Sequence, residues 1–201
     1  MTITKGQPWG EPATLPADAV IVRSDREVSH ALDAARRAAS PFPTFALLGG
    51  DLCHTVGGSD DVERLRRGAT AFPIDAGEVL VDGVHHYFAA HVVARTRRWR
   101  HFAVAMNAQW VGEWNFGPKS HPNDGVLDGY EGDLDFFEWR KVRKRLPSGT
   151  HLPHPRIEAR RARAVTFEFA KPLPVYIDGE AIGSARHLAA RVIPDALRVI
   201  A

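Results

Sequence analysis

The sequence predicts an α+β fold: a short strand–helix–strand unit at the front leading into a larger antiparallel β-sandwich. Two observations carry that reading. Residues 19–48 run through a β-branched stretch, a helical period and a second apolar stretch, which is one βαβ unit. Beyond Gly68 the chain turns into many short β-like runs separated by turn signals, the pattern of a sandwich or barrel. At 201 residues, with 44% hydrophobic and 25% charged side chains, the chain is long enough for one domain and a fraction, and its composition excludes wholesale disorder. We divide it into an extended arm over 1–18, a reduced α/β portion over 19–68 and the sandwich over 69–201.

The arm carries Gly6, Pro8, Gly10, Pro12 and Pro16 without periodicity. Ala19 to Arg23 reads as a strand, and Ser24 and Asp25 stand at helix N-cap positions. Val28, Leu32, Ala35 and Ala39 follow at helical spacing until Pro41 and Pro43. Thr44 to Leu48 is a second strand that runs into Gly49, Gly50 and Asp51, and a polar helical link, DDVERLRRG, closes the portion. In the second half, Phe72 to Val81 and Val84 to Ala94 flank Asp82-Gly83, a dipeptide suited to a two-residue hairpin turn. Further strands are expected at His101 to Trp110, Arg156 to Glu158, Ala164 to Phe169, Pro174 to Ile177, Ala181 to His187 and Val192 to Ile200, with a second hairpin turn at Asp178-Gly179. One helix is expected over Leu134 to Leu146, its apolar stripe formed by Phe136, Trp139, Val142 and Leu146 and its other faces basic.

Three segments carry chemistry. The glycine-rich loop LLGGDLCHTVGG, residues 47 to 58, follows a buried strand. Its glycines would let backbone amides approach a phosphate, and Asp51 would hold Mg²⁺ or orient the ligand; a plain glycine turn capped by Asp51 explains the same residues. In YIDGE, residues 176 to 180, a hairpin turn sets Glu180 just past the bend, where a carboxylate serves as a general base for a hydroxyl; Asp-Gly turns without function are commonplace. In SHPNDGVLD, residues 120 to 128, Asp124 and Asp128 with exposed carbonyls suit a hard cation, or form an ordinary turn.

In this order, GGD after a strand, MNAQWVGEWNFGPKSHPNDGVLDG, a basic helix, SGTHLPHPRIEARRARAVTFEF and PVYIDGEA resemble the bacterial diacylglycerol kinase and sphingosine kinase-like lipid kinases, relatives of NAD kinase, over about Ile74 to Ala201. The resemblance implies a lipid-kinase-type β-sandwich and phosphoryl transfer from ATP, with magnesium, to a lipid hydroxyl. Ala105-Met106-Asn107 resembles the family's asparagine strand. By the same resemblance Glu180 is the base on the lipid hydroxyl, Asp51 the acid of the nucleotide loop with Gly49, Gly50 and Thr55 around the phosphates, and Asp124 the loop acid of a structural magnesium site. The chain departs from the family where its signature GGDGT reads Gly49-Gly50-Asp51-Leu52-Cys53, and the residues from Ala19 to Gly68 are too few for a whole nucleotide domain. A relative that keeps the sandwich and binds a lipid or a partner without turnover is therefore the rival reading.

Net charge is only +2, but arginines cluster at 95–100, 140–145 and 156–163. Were they to converge on one face they would suit a lipid headgroup or an anionic membrane surface; solvated faces balanced by acids are the plainer account. No nucleic-acid module accompanies them and no zinc spacing exists among the histidines. The single cysteine, Cys53, excludes an intrachain disulfide, and the sequence opens with neither a signal-like segment nor an apolar span. A cytoplasmic protein, peripheral at the inner membrane face, is expected. The exposed edge of so short an α/β sheet also invites a homodimer.

Overall fold

The computed structural model describes residues 9–201. The front of the chain folds as its pattern dictates. Strand β2 (Val20–Val22) leads into helix α1 (Asp25–Arg37), capped by the Ser24 hydroxyl accepting from the Glu27 amide. Val28, Leu32 and Ala35 turn inward from α1. Strand β3 (Phe45–Leu47) returns parallel to β2, with Val20 opposite Phe45. Two short helices follow, α2 (Asp51–Thr55) and α3 (Val62–Arg67), the latter capped by Asp61.

Part of the expected arm is a strand. β1 (Glu11–Ala13) pairs antiparallel with β4 (Ala69–Val81), and Trp9 packs its ring 4.6 Å from Phe72 and 4.4 Å from His121. Pro12, the central residue of β1, is tolerated because an edge strand leaves one side unpaired. The first eight residues of the expected arm, 1–8, lie outside the described residues.

The second half holds β5 (Val84–Phe88), β6 (His91–Arg95), β7 (His101–Met106), β8 (Leu127–Asp133), β9 (Ile157–Ala162), β10 (Ala164–Ile177) and β11 (Glu180–Ile200), with α4 (Phe136–Arg145) between β8 and β9. The strands run β1-β4-β11-β10-β6-β7-β8-β9, with β5 beside β4 and β3 beside β11. The runs expected as four strands at 164–200 are two long ones, interrupted by register shifts rather than by loops. β10 slips between Glu168 and Leu173, and β11 slips against β4 between Ile193 and Leu197. Such irregularities bend a strand, so β10 pairs with one half of the sandwich through Val165 and Phe167 and with β6 through Val175 and Ile177. These side chains, with Phe88, Leu127 and Leu188, fill the space between the halves.

Strand β8 lies where the sequence suggests only loop. LDGYEGD is poor in strand formers, but its glycines admit neighbours: a Cβ on Gly132 would sit 2.5 Å from the Phe102 ring and one on Gly129 would sit 3.1 Å from Val165. Helix α4 begins with a capping box between Asp135 and Glu138, and buries Trp139 and Val142, with Leu146 just beyond it. Phe136, expected in the buried stripe, is 49% exposed.

The front unit belongs to the same sheet. β3 pairs parallel with the end of β11, Phe45 opposite Val199, so α1 and α2 pack on one continuous surface with Phe72, Ile74 and Leu197. That junction fixes where the glycine loop sits. Packing is tight at Gly77, paired with Phe88, where a Cβ would fall 2.1 Å from the buried ring. Gly77→Ala is expected to lower stability by about 1–3 kcal/mol in denaturant unfolding; an unchanged midpoint would mean that Phe88 can move aside.

Candidate functional site

The glycine loop rises from β3 and turns at Gly50, which has φ +96 and forms the N-cap of α2. Neither glycine can carry a side chain here: a Cβ on Gly49 would meet the Arg23 carbonyl oxygen at 2.5 Å, and one on Gly50 the Asp25 carboxylate at 2.6 Å. The anion that exploits this close approach belongs to the protein itself. Asp25, in the first turn of α1 and buried, accepts from the Asp51 amide at 2.5 Å and from the Leu52 amide at 3.1 Å. Those amides are the ones a bound phosphate would use.

Around that carboxylate lie three further ionisable side chains. Asp51 accepts from His91 Nε2 at 2.8 Å through one oxygen and from the Gly112 amide at 2.9 Å through the other. Asp178, in the β10–β11 turn at φ +48, folds its carboxylate inward to accept from the amides of Ala89, Ala90 and His91 at 2.7, 2.9 and 3.0 Å. The aspartate of the DGE motif is therefore the group that ties the hairpin to the start of β6. Asn107 holds the same segment from below, donating to the carbonyls of Asp75 and Ala89.

Burial and mutual charge shift these groups in opposite directions. Burial and the nearby charge of Asp178 push Asp25 up to about 7, against the pull of His91. Asp178 is raised by burial, which outweighs His91 and its three amide donors. Burial would raise Asp51 too, but the hydrogen bond and charge of His91 and the Gly112 amide hold it below the ordinary carboxylate value. Burial acts to lower His91; the bond to Asp51 and the charges of Asp178, Asp51 and Asp25 prevail and raise it.

The remaining loop residues serve packing. Thr55 donates to the Asp51 carbonyl at 2.7 Å and accepts from the Gln109 amide at 3.0 Å, and the His54 ring stacks on Trp110 at 4.1 Å. Leu52, standing in place of the signature glycine, is fully buried with Val22, Leu47 and Cys53. The loop is thus clamped onto residues 107–112. As arranged, it does not fit a triphosphate: Asp25 holds two of its amides, and Asp51 and Thr55 are engaged elsewhere.

Glu180 opens β11 two residues after Asp178, yet its carboxylate turns outward to accept from His30 Nε2 of α1 at 2.6 Å, both side chains being well exposed. Asp51 and Glu180 thus have separate partners. Asp124 accepts from the Val126 amide and pairs closely with Arg161, which also reaches Asp128 at 3.6 Å. Burial pushes Asp124 up to about 6 although Arg161 opposes it. A guanidinium between two carboxylates does not fit a divalent-cation site, and among the described residues no group of three or more His, Cys, Asp or Glu side chains is placed to hold a metal. Local sequence presents Asp25 only as a helix cap and does not single out His91. Nor does it single out Asp75, whose carboxylate anchors the 120–125 loop through Gly125 and Asn123 and accepts from the Asp195 amide. A lone aspartate within the apolar run of β4, two residues before Gly77, was the available signal.

A β-sandwich joined to a glycine loop, with an Asp-Gly-Glu hairpin at the junction, is a lipid-kinase-type fold. The chain belongs to the family of the YegS C-terminal NAD kinase β-sandwich-like domain, whose model matches residues 59–201. Among solved structures it is similar to a diacylglycerol kinase from Bacillus anthracis str. Sterne, at TM-score 0.61 and 14% identity over 90% of this chain and 75% of that one. Two further structures carrying that assignment from the same organism match at TM-scores 0.66 and 0.67, with 14% and 13% identity, each over 90% of this chain and 77% of the other. No curated protein matches the sequence. The likeness to lipid kinases is one of fold.

Because Asp25 and His91 bind protons more tightly in the folded chain than in the unfolded one, their contribution to stability declines as pH rises. For Asp25 the decline runs from about pH 4 to about pH 7, and for His91 it begins above its ordinary 6.5. Melting temperature should fall between pH 5 and pH 8, and Asp25→Asn should flatten part of that slope. Asp25→Ala strands two amides at a cost of about 1–3 kcal/mol each. Millimolar sulfate should restore part of the loss in the variant and leave the parent unchanged, as thermal unfolding would register.

Proposed function

We propose that this chain is a lipid-binding member of its family that does not transfer a phosphoryl group. The observation that carries the reading is the Asp25 carboxylate seated on the amides of Asp51 and Leu52, where a nucleotide phosphate would have to bind. Two others support it: Asp51 is bonded at both oxygens, and Glu180 is turned toward His30. The lipid class comes from the family, and the activity of its kinases is not carried over with it. No helix among the described residues is long and apolar enough to cross a membrane, so contact with lipid in this reading is at a membrane face.

A second reading keeps the kinase, with ATP and magnesium at Gly49, Gly50, Asp51 and Thr55 and Glu180 as base. It is favoured by one observation: Asp25 is held near neutrality in its proton affinity and would yield to a more strongly anionic phosphate. Calorimetry with ATP and Mg²⁺ separates the two. The proposal expects no heat and no thermal stabilisation up to millimolar nucleotide. Binding that Asp51→Ala abolishes, followed by lipid phosphorylation that Glu180→Gln removes, would overturn it in favour of the kinase.

A further inference from the structure

Two of the three arginine clusters converge and the third does not. Arg156, Arg160 and Arg161 are paired with Asp133, Glu138, Glu131, Glu158, Asp124 and Asp128. The β6–β7 turn and α4 instead border a cavity of 480 Å³ whose lining holds six arginines, at 95, 97, 98, 100, 140 and 143, and no carboxylate. Among the described residues none of the six forms an ion pair. Arg95 lies over the Trp99 and Tyr176 rings, and Arg100 donates to the Leu134 carbonyl. Asp135, at the N-cap of α4, feels the charge of Arg100, but one such carboxylate does not balance six arginines, and so dense a charge repels itself and is expensive to keep without an anion to meet it.

Beside the cavity the first turn of α4 presents Phe136 and Phe137, 49% and 70% exposed, their rings 5.6 Å apart and edge to face. Lys141, Lys144 and Arg145 are exposed on the same helix. The helix thus shows solvent two aromatic rings at one end and cations along its length, the division that suits an interfacial helix. The tryptophans of the cavity are not free to stack on a base: Trp99 and Trp139 stack on each other at 5.9 Å, and Trp114 meets both edge-on.

We propose that this face docks on an anionic phospholipid bilayer, Phe136 and Phe137 entering the headgroup–acyl boundary and the arginines of the cavity receiving lipid phosphates. The proposal rests on the preceding reading only for the lipid class. Its residues are not those of the glycine loop, so vesicle binding and nucleotide binding fail independently. Each cation near an anionic leaflet adds attraction that salt screens, whereas the rings add an apolar component that salt leaves in place.

The test is flotation of the intact protein with vesicles of phosphatidylglycerol in phosphatidylcholine, against phosphatidylcholine alone. Binding should rise with phosphatidylglycerol content, weaken with salt and be absent from pure phosphatidylcholine. Phe136→Ser with Phe137→Ser, and separately Arg140→Glu with Arg143→Glu, should each lower the partition coefficient about tenfold or more. Arg26→Glu on α1 should leave it unchanged, and Phe137→Trp should shift its emission to the blue on binding. Failure to float with phosphatidylglycerol, or flotation indifferent to both pairs of substitutions, would overturn the proposal. So would tighter binding to a single-stranded oligonucleotide, lost with the arginine pair and kept with the phenylalanine pair.

Discussion

Three aspartates and one histidine share a buried volume at the junction of loop, hairpin and sheet, and their charge balance constrains everything built around them. Isolated, each buried carboxylate would be prohibitive; together they are tolerable because His91 supplies a cation and six backbone amides supply dipoles. The amides come from the start of α2, the start of β6 and Gly112, segments far apart in sequence. Each aspartate therefore fixes one local turn and, through the shared imidazole, the position of that turn against the others.

This explains how a chain with so short a front portion keeps a defined loop. A glycine-rich turn that waits for a phosphate has unsatisfied amides and a positive φ to maintain. Here Asp25 satisfies the amides and Leu52 anchors the turn in the core. The loop is held by the chain's own carboxylate, brought to it by the fold, and by its buried leucine. The 120–125 loop follows the same logic, with Asp75 receiving the Gly125 amide and Arg161 neutralising Asp124.

Much of the fold was legible because periodicity reports burial. Val28, Leu32 and Ala35 announced α1, and the Asp-Gly dipeptides at 82 and 178 announced their hairpins, each with its aspartate at positive φ. Strand β8 was hidden because its glycines answer to Phe102 and Val165, which only the tertiary fold brings to it. The site was half legible. Asp51, Asp178 and Glu180 stood out in motifs, but their partners did not: Asp25 reads as a helix cap, His91 as one of several strand histidines, and His30 as part of a polar helix face. Local sequence announces residues that make turns; it is silent on which charge a fold will bring opposite them. The arginines at 95–100 and 140–145 show the same limit, since it is tertiary packing of Trp99, Phe102 and Trp139 that brings α4 to the β6–β7 turn.

The parallel pairing of β3 with the end of β11 also has a kinetic meaning. Phe45 and Val199 are neighbours in the sheet, so the front βαβ unit lacks one side of its sheet until the last strand has been laid down. Closing a loop of that length precedes any reward from the contacts it brings, which places this junction among the slow steps of folding. During synthesis the apolar faces of α1 and β3 must remain uncovered while the sandwich is still being made.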